Sequence, residues 1–143
     1  MSQPNVLVVR SDQHRADAMG CAGDAVLQTP NIDRLAAGGA RFTNAYCPFP
    51  LCGPSRMAFM TGRHPYEIGI WSNEHALNSD HPTFAHAFLA AGYETVLSGR
   101  MHFVGGDQRH GFERRLIGDV PECDYLSAGW KLSRVLGDLR DTP

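Results

Sequence analysis

The string Cys52-Gly53-Pro54-Ser55-Arg56 holds the sharpest chemistry in the sequence. Pro54 suits the first turn of a helix, which sets Cys52 beside free backbone N–H groups. Those groups and the helix dipole favour an anion at that point. Arg56 lies close enough in sequence to reach the same place, and its planar fork of donors suits oxyanions. A cysteine phosphatase needs an Arg six positions after its Cys; position 58 is Ala58, so that reading fails. A plain buried cysteine beside a proline turn is the competing structural reading, and for an isolated Cys it would be preferred.

Two further polar sets stand where strands are expected to end. Asp12 and Gln13 follow the apolar, β-branched run within Asn5–Arg10, and Arg100 and His102 follow the run Tyr93–Leu97. In open α/β sheets ligands bind outside the carboxyl ends of strands. Asp and Gln offer hard oxygen donors, suited to Ca²⁺, Mg²⁺ or Mn²⁺. Taken alone, Asp12 is explained better as a loop residue capping a turn.

The elements that must position these residues follow from pattern. The unbroken apolar run after Asn5 predicts a strand buried on both faces, as in a parallel sheet. Thr29-Pro30 opens a helix with Thr29 as cap, Asp33 early, Ile32, Leu35 and Ala36 as its apolar face, and Gly38-Gly39 as its stop. Residues 41–46 alternate weakly, as an extended segment or strand. A short helix is expected from about Pro54 to Met60, ended by Gly62. Residues 64–78 read as irregular loop. Pro82 or Thr83 starts a helix with Phe84, Phe88 and Leu89 as its buried face and Gly92 at its end. Tyr93–Leu97 is a second buried strand, and after Gly105 the pattern fades. Strands alternating with helices predict an α/β sheet with helical crossovers.

Composition sets the frame for these elements. The chain has 143 residues, with 43% hydrophobic and 20% charged, which excludes intrinsic disorder and collagen-like repeats and fits one ordinary domain. A net charge of −2 gives no ground for a nucleic-acid or membrane-surface role. Lys131 is the sole Lys, so the cations are nearly all Arg; codon bias explains most of these as well as oxyanion chemistry does. Cys21, Cys47, Cys52 and Cys123 form no CxxC pair and are too sparse for a disulfide scaffold. The N-terminus lacks a secretory pattern, and Val6–Val9 is too short to span a bilayer, so a cytoplasmic protein is expected.

Taken together, these strings resemble the sulfatase family of the alkaline phosphatase superfamily. Cys52-Gly53-Pro54-Ser55-Arg56 followed by Thr61-Gly62-Arg63 is similar to the family pattern C-x-P-S-R with T-G-R. Asn5–Asp12 looks like the family's first strand and metal Asp, and Thr29–Ala36 like its T-P-N-x-D-x-L-A helix. Ser98–Glu113 is similar to a segment of choline-sulfatase-type members. The likeness runs over roughly residues 5–115. It implies an α/β fold in which residues 1–143 form the N-terminal portion of a catalytic domain, a mostly parallel sheet with helices on both faces.

The resemblance also implies roles. Cys52, oxidised to formylglycine by a maturation enzyme, would be nucleophile and metal ligand. Asp12 and Gln13 would be metal ligands, with Gln13 standing where many members have a second Asp. Arg56 would hold the modified residue and offset negative charge. Asn73 would touch the substrate oxyanion. His102 would be a base or oxyanion donor, and Arg100 replaces the usual Lys beside substrate. One hydroxyl of the hydrated aldehyde, polarised by the metal, would attack the sulfur of a small sulfate ester while the alcohol leaves. The other, deprotonated by His102 or a neighbour, would then expel sulfate as the aldehyde reforms. One divalent metal, Ca²⁺, Mg²⁺ or Mn²⁺, would assist, and the complete protein is open to homo-oligomerisation.

Other residues carry weaker expectations. His14 and His75 lie near the site in sequence and serve equally as loop residues. His64, His86 and His110 read as structural, Trp71 as core before pocket wall, and Phe84, Phe88 and Phe112 as core. The family's second metal cluster, an Asp followed by His or Asn, has no match: Asp107, Asp119, Asp124, Asp138 and Asp141 are followed by Gln, Val, Tyr, Leu and Thr. The chain alone is therefore expected to be inactive. Two rival readings stand beside the sulfatase: a phosphonate or phosphodiester monoester hydrolase of the same superfamily, and an inert truncated domain.

Overall fold

The computed structural model describes residues 3–119. The chain divides into two compact units, residues 1–46 and 47–143.

The first unit contains a short 3-10 turn, Gly20–Ala22, and helix α1, Pro30–Gly38. Thr29 precedes α1 but does not cap it with its side chain. Its hydroxyl instead accepts from Gly20 N–H at 2.8 Å and donates to Asp33 Oδ1 at 2.9 Å. Asp33 Oδ1 also accepts from Cys21 N–H at 2.7 Å. Thr29 and Asp33 therefore clamp the 3-10 turn onto the start of the helix. A Cβ at Gly20 would fall 2.5 Å from Asp33 Oδ2, so only glycine fits the clamp.

The strand expected over Asn5–Arg10 does not form, nor does one over 41–46. A parallel strand takes its hydrogen bonds from neighbouring strands, and the first unit's described residues contain none. The apolar face of α1 is likewise open, with Leu35 74% exposed.

The second unit carries helices α2 (Cys52–Thr61), α3 (Pro65–Ile68) and α4 (Phe84–Ala90) and strands β1 (Val96–Ser98) and β2 (Arg114–Ile117). The strands pair in parallel, Val96 opposite Arg114 and Leu97 opposite Arg115, with an irregularity before Ser98 opposite Ile117. This parallel pair with helices is the α/β pattern expected. Helix α2 starts two residues earlier than expected and ends where Gly62, at φ 66°, closes it onto Ala58 O. Helix α4 starts after Thr83, whose hydroxyl accepts from His86 N–H. Helix α3 and strand β2 are additions: α3 lies in the expected loop and β2 in the segment without pattern.

The core gathers Met57, Met60, Ile68, Ile70, Leu77, Ala85, Leu97, Met101 and Phe103, with Phe84 and Phe112 packed against it. Phe84 stands edge-on to Phe59, Phe88 and Phe112. Of the expected aromatic core, Phe84 and Phe112 pack half-buried against the cluster while Phe88 is outside it, and Leu89, expected on the buried face of α4, is exposed. Trp71 is exposed rather than core. Seven of the ten residues of α2 are buried, which makes the helix that carries Cys52 the anchor of the unit. Among the described residues no helix is long and apolar enough to cross a membrane.

Candidate active site

Cys52 is the first residue of α2, and Leu51 before it is extended. Ser55 N–H already bonds Leu51 O, and Pro54 has no N–H to satisfy. Gly53 N–H is taken from a distance in sequence, by Asn73 Oδ1 at 2.8 Å. Because the N–H needs an acceptor, this contact fixes which amide atom faces the helix and leaves Asn73 its Nδ2 donors. A Cβ at Gly53 would lie 3.2 Å from both Asn73 Cα and Asn73 Oδ1. Glycine there is what allows the 72–73 backbone to approach the helix end.

Arg56 lies one turn along α2 and is 3% exposed. Its Nη1 donates to Arg100 O at 2.7 Å, which ties α2 to the chain leaving β1. Arg100 Nη2 lies 3.0 Å from His102 Nδ1, and His102 Nε2 lies 2.9 Å from Asn73 O. A guanidinium only donates, so Nδ1 accepts and Nε2 carries the hydrogen given to Asn73 O. His102 has φ 60°, a left-handed conformation uncommon for a side chain of that size.

The structure thus links Arg56, Asn73, Arg100 and His102 into one network that reaches the N-terminus of α2 through Gly53 N–H, next to Cys52. Its charge is cationic: two guanidinium groups and a helix N-terminus, an arrangement that stabilises an oxyanion. Asp12 and Gln13 belong to the first unit and are exposed there, with Gln13 at φ 50°. Their oxygens suit a hard divalent cation, but a pair falls short of the ligand number such an ion takes. Among the described residues no cluster of three His, Cys, Asp or Glu gathers to hold a metal.

Other expected and unexpected residues fall around this network. Cys47 Sγ lies 3.0 Å from both Phe49 O and Ser55 Oγ, so it anchors the loop before α2 to the helix; no spacing in the sequence marks it. His75 Nδ1 accepts from Trp71 N–H, and His64 stacks on Tyr66. In the first unit, His14 Nε2 meets Ala18 O. His110 is 1% exposed, packs on Phe103 and stands 3.3 Å from the Asp107 carboxylate. Burial pushes the His110 pKa down, against the attraction of Asp107. Asp107 accepts from Arg109 N–H and His110 N–H. Asp124, Asp138 and Asp141 lie outside the described residues.

The family model described as Sulfatase matches residues 4–135. The choline-sulfatase of Rhizobium meliloti is 42% identical over 128 residues, which cover 90% of this chain and 24% of that protein. A structure solved in complex with its substrate D-glucosamine-2-N,6-O-disulfate is similar at TM-score 0.68 and 39% identity, over 73% of this chain and 21% of the other. The phosphonate monoester hydrolase of Agrobacterium radiobacter is similar at TM-score 0.73 and 27% identity, over 84% of this chain and 26% of the other. The chain spans about a quarter of the length of the relatives it matches.

Proposed function

The chain belongs to the sulfatase family, and from that premise we propose that the complete protein hydrolyses a small sulfate ester at the N-terminus of α2. Its fold is the α/β, sulfatase-like one. Residues 1–143 are the N-terminal portion of the catalytic domain in this reading, which accords with the share of each relative that is matched. The observation that carries the proposal is the network itself. One helix end holds Cys52, and a capping Asn73, a buried Arg56, an Arg100 and a His102 converge on it.

Cys52, matured to formylglycine, is the nucleophile of the proposal. Arg56 fixes the helix against the 100–102 turn and contributes positive charge to a pocket that must hold sulfate. Asn73 keeps its Oδ1 on Gly53 N–H and turns its Nδ2 donors to a substrate oxygen. Arg100 can leave His102 Nδ1 for the sulfate; Nδ1 is then free to take the proton from the second hydroxyl of the hydrated residue. A divalent cation, when bound, would polarise the nucleophile, and the oxygens of Asp12 and Gln13 are of the hard type that such an ion takes.

The choline-sulfatase relative supports an alkyl sulfate substrate, and the likeness to a phosphonate monoester hydrolase supports the second reading. The full-length, matured protein separates them on matched sulfate monoesters, phosphonate monoesters and phosphodiesters. The proposal expects the highest kcat/KM on a sulfate ester and loss of turnover on chelation of divalent metal. Faster turnover of phosphonate monoesters would put the second reading in its place.

A further inference from the structure

Asp119 is not a candidate metal ligand, yet its carboxylate closes on the backbone of the site. Oδ1 accepts from Met101 N–H at 2.6 Å and His102 N–H at 3.0 Å, and Oδ2 accepts from Phe103 N–H at 3.2 Å. Three successive N–H groups around a left-handed residue form an anion-binding nest. Here the anion is the protein's own. Arg115 Nη2 pairs with Oδ2 at 3.0 Å, and Arg115 is itself held by Gln108 through Nη1 and lies over the Phe103 ring. Asp119 stands two residues beyond β2, while the turn it holds starts after β1, so strand pairing brings the two together.

We infer that Asp119 is a positioning residue: by gathering the N–H groups of Met101–Phe103 it holds His102 left-handed, so that its ring spans Arg100 and Asn73. Without that carboxylate the three N–H groups lose their shared acceptor, the bonds at Arg100 O and Asn73 O are left to hold the turn, and relaxing φ swings the imidazole off Asn73 O. The carboxylate serves through its two oxygens as well as its charge. An Asn amide would present N–H to at least one of the same donors, and a Glu would carry the oxygens one methylene too far.

This inference rests on the sulfatase reading only for the role of His102, and its test has one arm with activity and one without. In the full-length, matured protein, Asp119→Asn and Asp119→Glu should lower kcat on the preferred sulfate ester on the order of 10–100-fold, the range for losing a group that orients a site ligand, with KM moved less than about threefold. In a His102→Ala background, Asp119→Asn should add less than about twofold, because both act through one ring. Hydrogen exchange should rise at least about tenfold at Met101–Phe103 in Asp119→Asn and stay unchanged along α2. Additive losses in the double mutant, wild-type activity in Asp119→Glu, or equal acceleration of exchange along α2 would overturn the inference. Should the wild-type protein turn over no sulfate ester, the function proposal fails and the exchange arm alone decides for Asp119.

Discussion

In residues 47–119, Met57, Met60, Ile70, Leu97 and Phe103 are buried in one core, while in residues 3–46, Leu7 and Val9 are 86% and 85% exposed and Leu35 is 74% exposed. Both stretches are apolar in pattern and both match the family model. They differ in where their partners come from. The second unit closes on itself: α2 packs against α3 and α4, and β1 finds β2. Among its described residues the first unit forms the Thr29–Asp33 clamp, a 3-10 turn and one helix, but no strand. A double-sided apolar strand is a demand for two neighbours, and pattern alone does not supply them. The cluster at the N-terminus of α2 comes from the self-sufficient unit, which is why its geometry is explicit.

Breaking the second unit's site should cost most. Arg56→Ala removes the 2.7 Å bond from α2 to Arg100 O. The loss should be about 2 kcal/mol, the scale of a hydrogen bond from a buried charged donor, read in the denaturation midpoint. In the full-length protein, turnover should fall roughly 10²–10³-fold if Arg56 supplies the proposed oxyanion-stabilising charge. Arg56→Ala that leaves both unchanged would dissolve the link between helix and turn. Gly53→Ala is milder. Its methyl would press on Asn73 Cα and Oδ1 at 3.2 Å, and overpacking of this kind costs about 1–3 kcal/mol. Asn73→Ala in the same background should recover part of that cost, a compensation that a direct helix effect of the alanine would not show.

The His110 pKa is depressed by burial in the folded chain. A depressed pKa contributes stability that is present above the unfolded value and is lost as pH falls through the folded one. Thermal melts of the second unit should therefore shift down as pH drops below about 6.5, the ordinary histidine value, and His110→Phe should flatten that slope. An unchanged slope would mean that Asp107, 3.3 Å away, offsets the burial. The smallest effect belongs to the first unit. Leu35→Ser, in a side chain that packs on little, should change the stability of this chain by less than about 0.5 kcal/mol. A cost of several kcal/mol would show that the α1 face is covered.

The difference between the units also marks what sequence could reveal. Helices α2 and α4 are legible because their signals are local: Pro54 lies in the first turn of α2 and Gly62 closes it, while Thr83 caps α4 and Gly92 follows two residues after its end. The residues around Cys52 were legible through the resemblance, and Asn73, Arg100 and His102 do meet at that helix end. Helix α3 was missed although Pro65 at its start and Glu67, whose carboxylate accepts from His64 N–H, are start signals. Strand β2 was missed because Arg114-Arg115-Leu116-Ile117 is half charged; its arginines reach Glu94 and Asp119 at the strand's edge. The role of Asp119 is not legible in sequence, since its partners are backbone N–H groups that no side-chain motif announces. The strand over Asn5–Arg10 was legible as a pattern and absent as a ladder.

In the proposed function Cys52, at the N-terminus of α2, is the matured nucleophile. Mass spectrometry of the peptide carrying Cys52, from the full-length protein made in a host with a formylglycine-generating enzyme, tests it most directly. The mass of the aldehyde or its hydrate is expected at position 52, with Cys47 remaining a thiol. A fully unmodified Cys52 thiol under those conditions would contradict it.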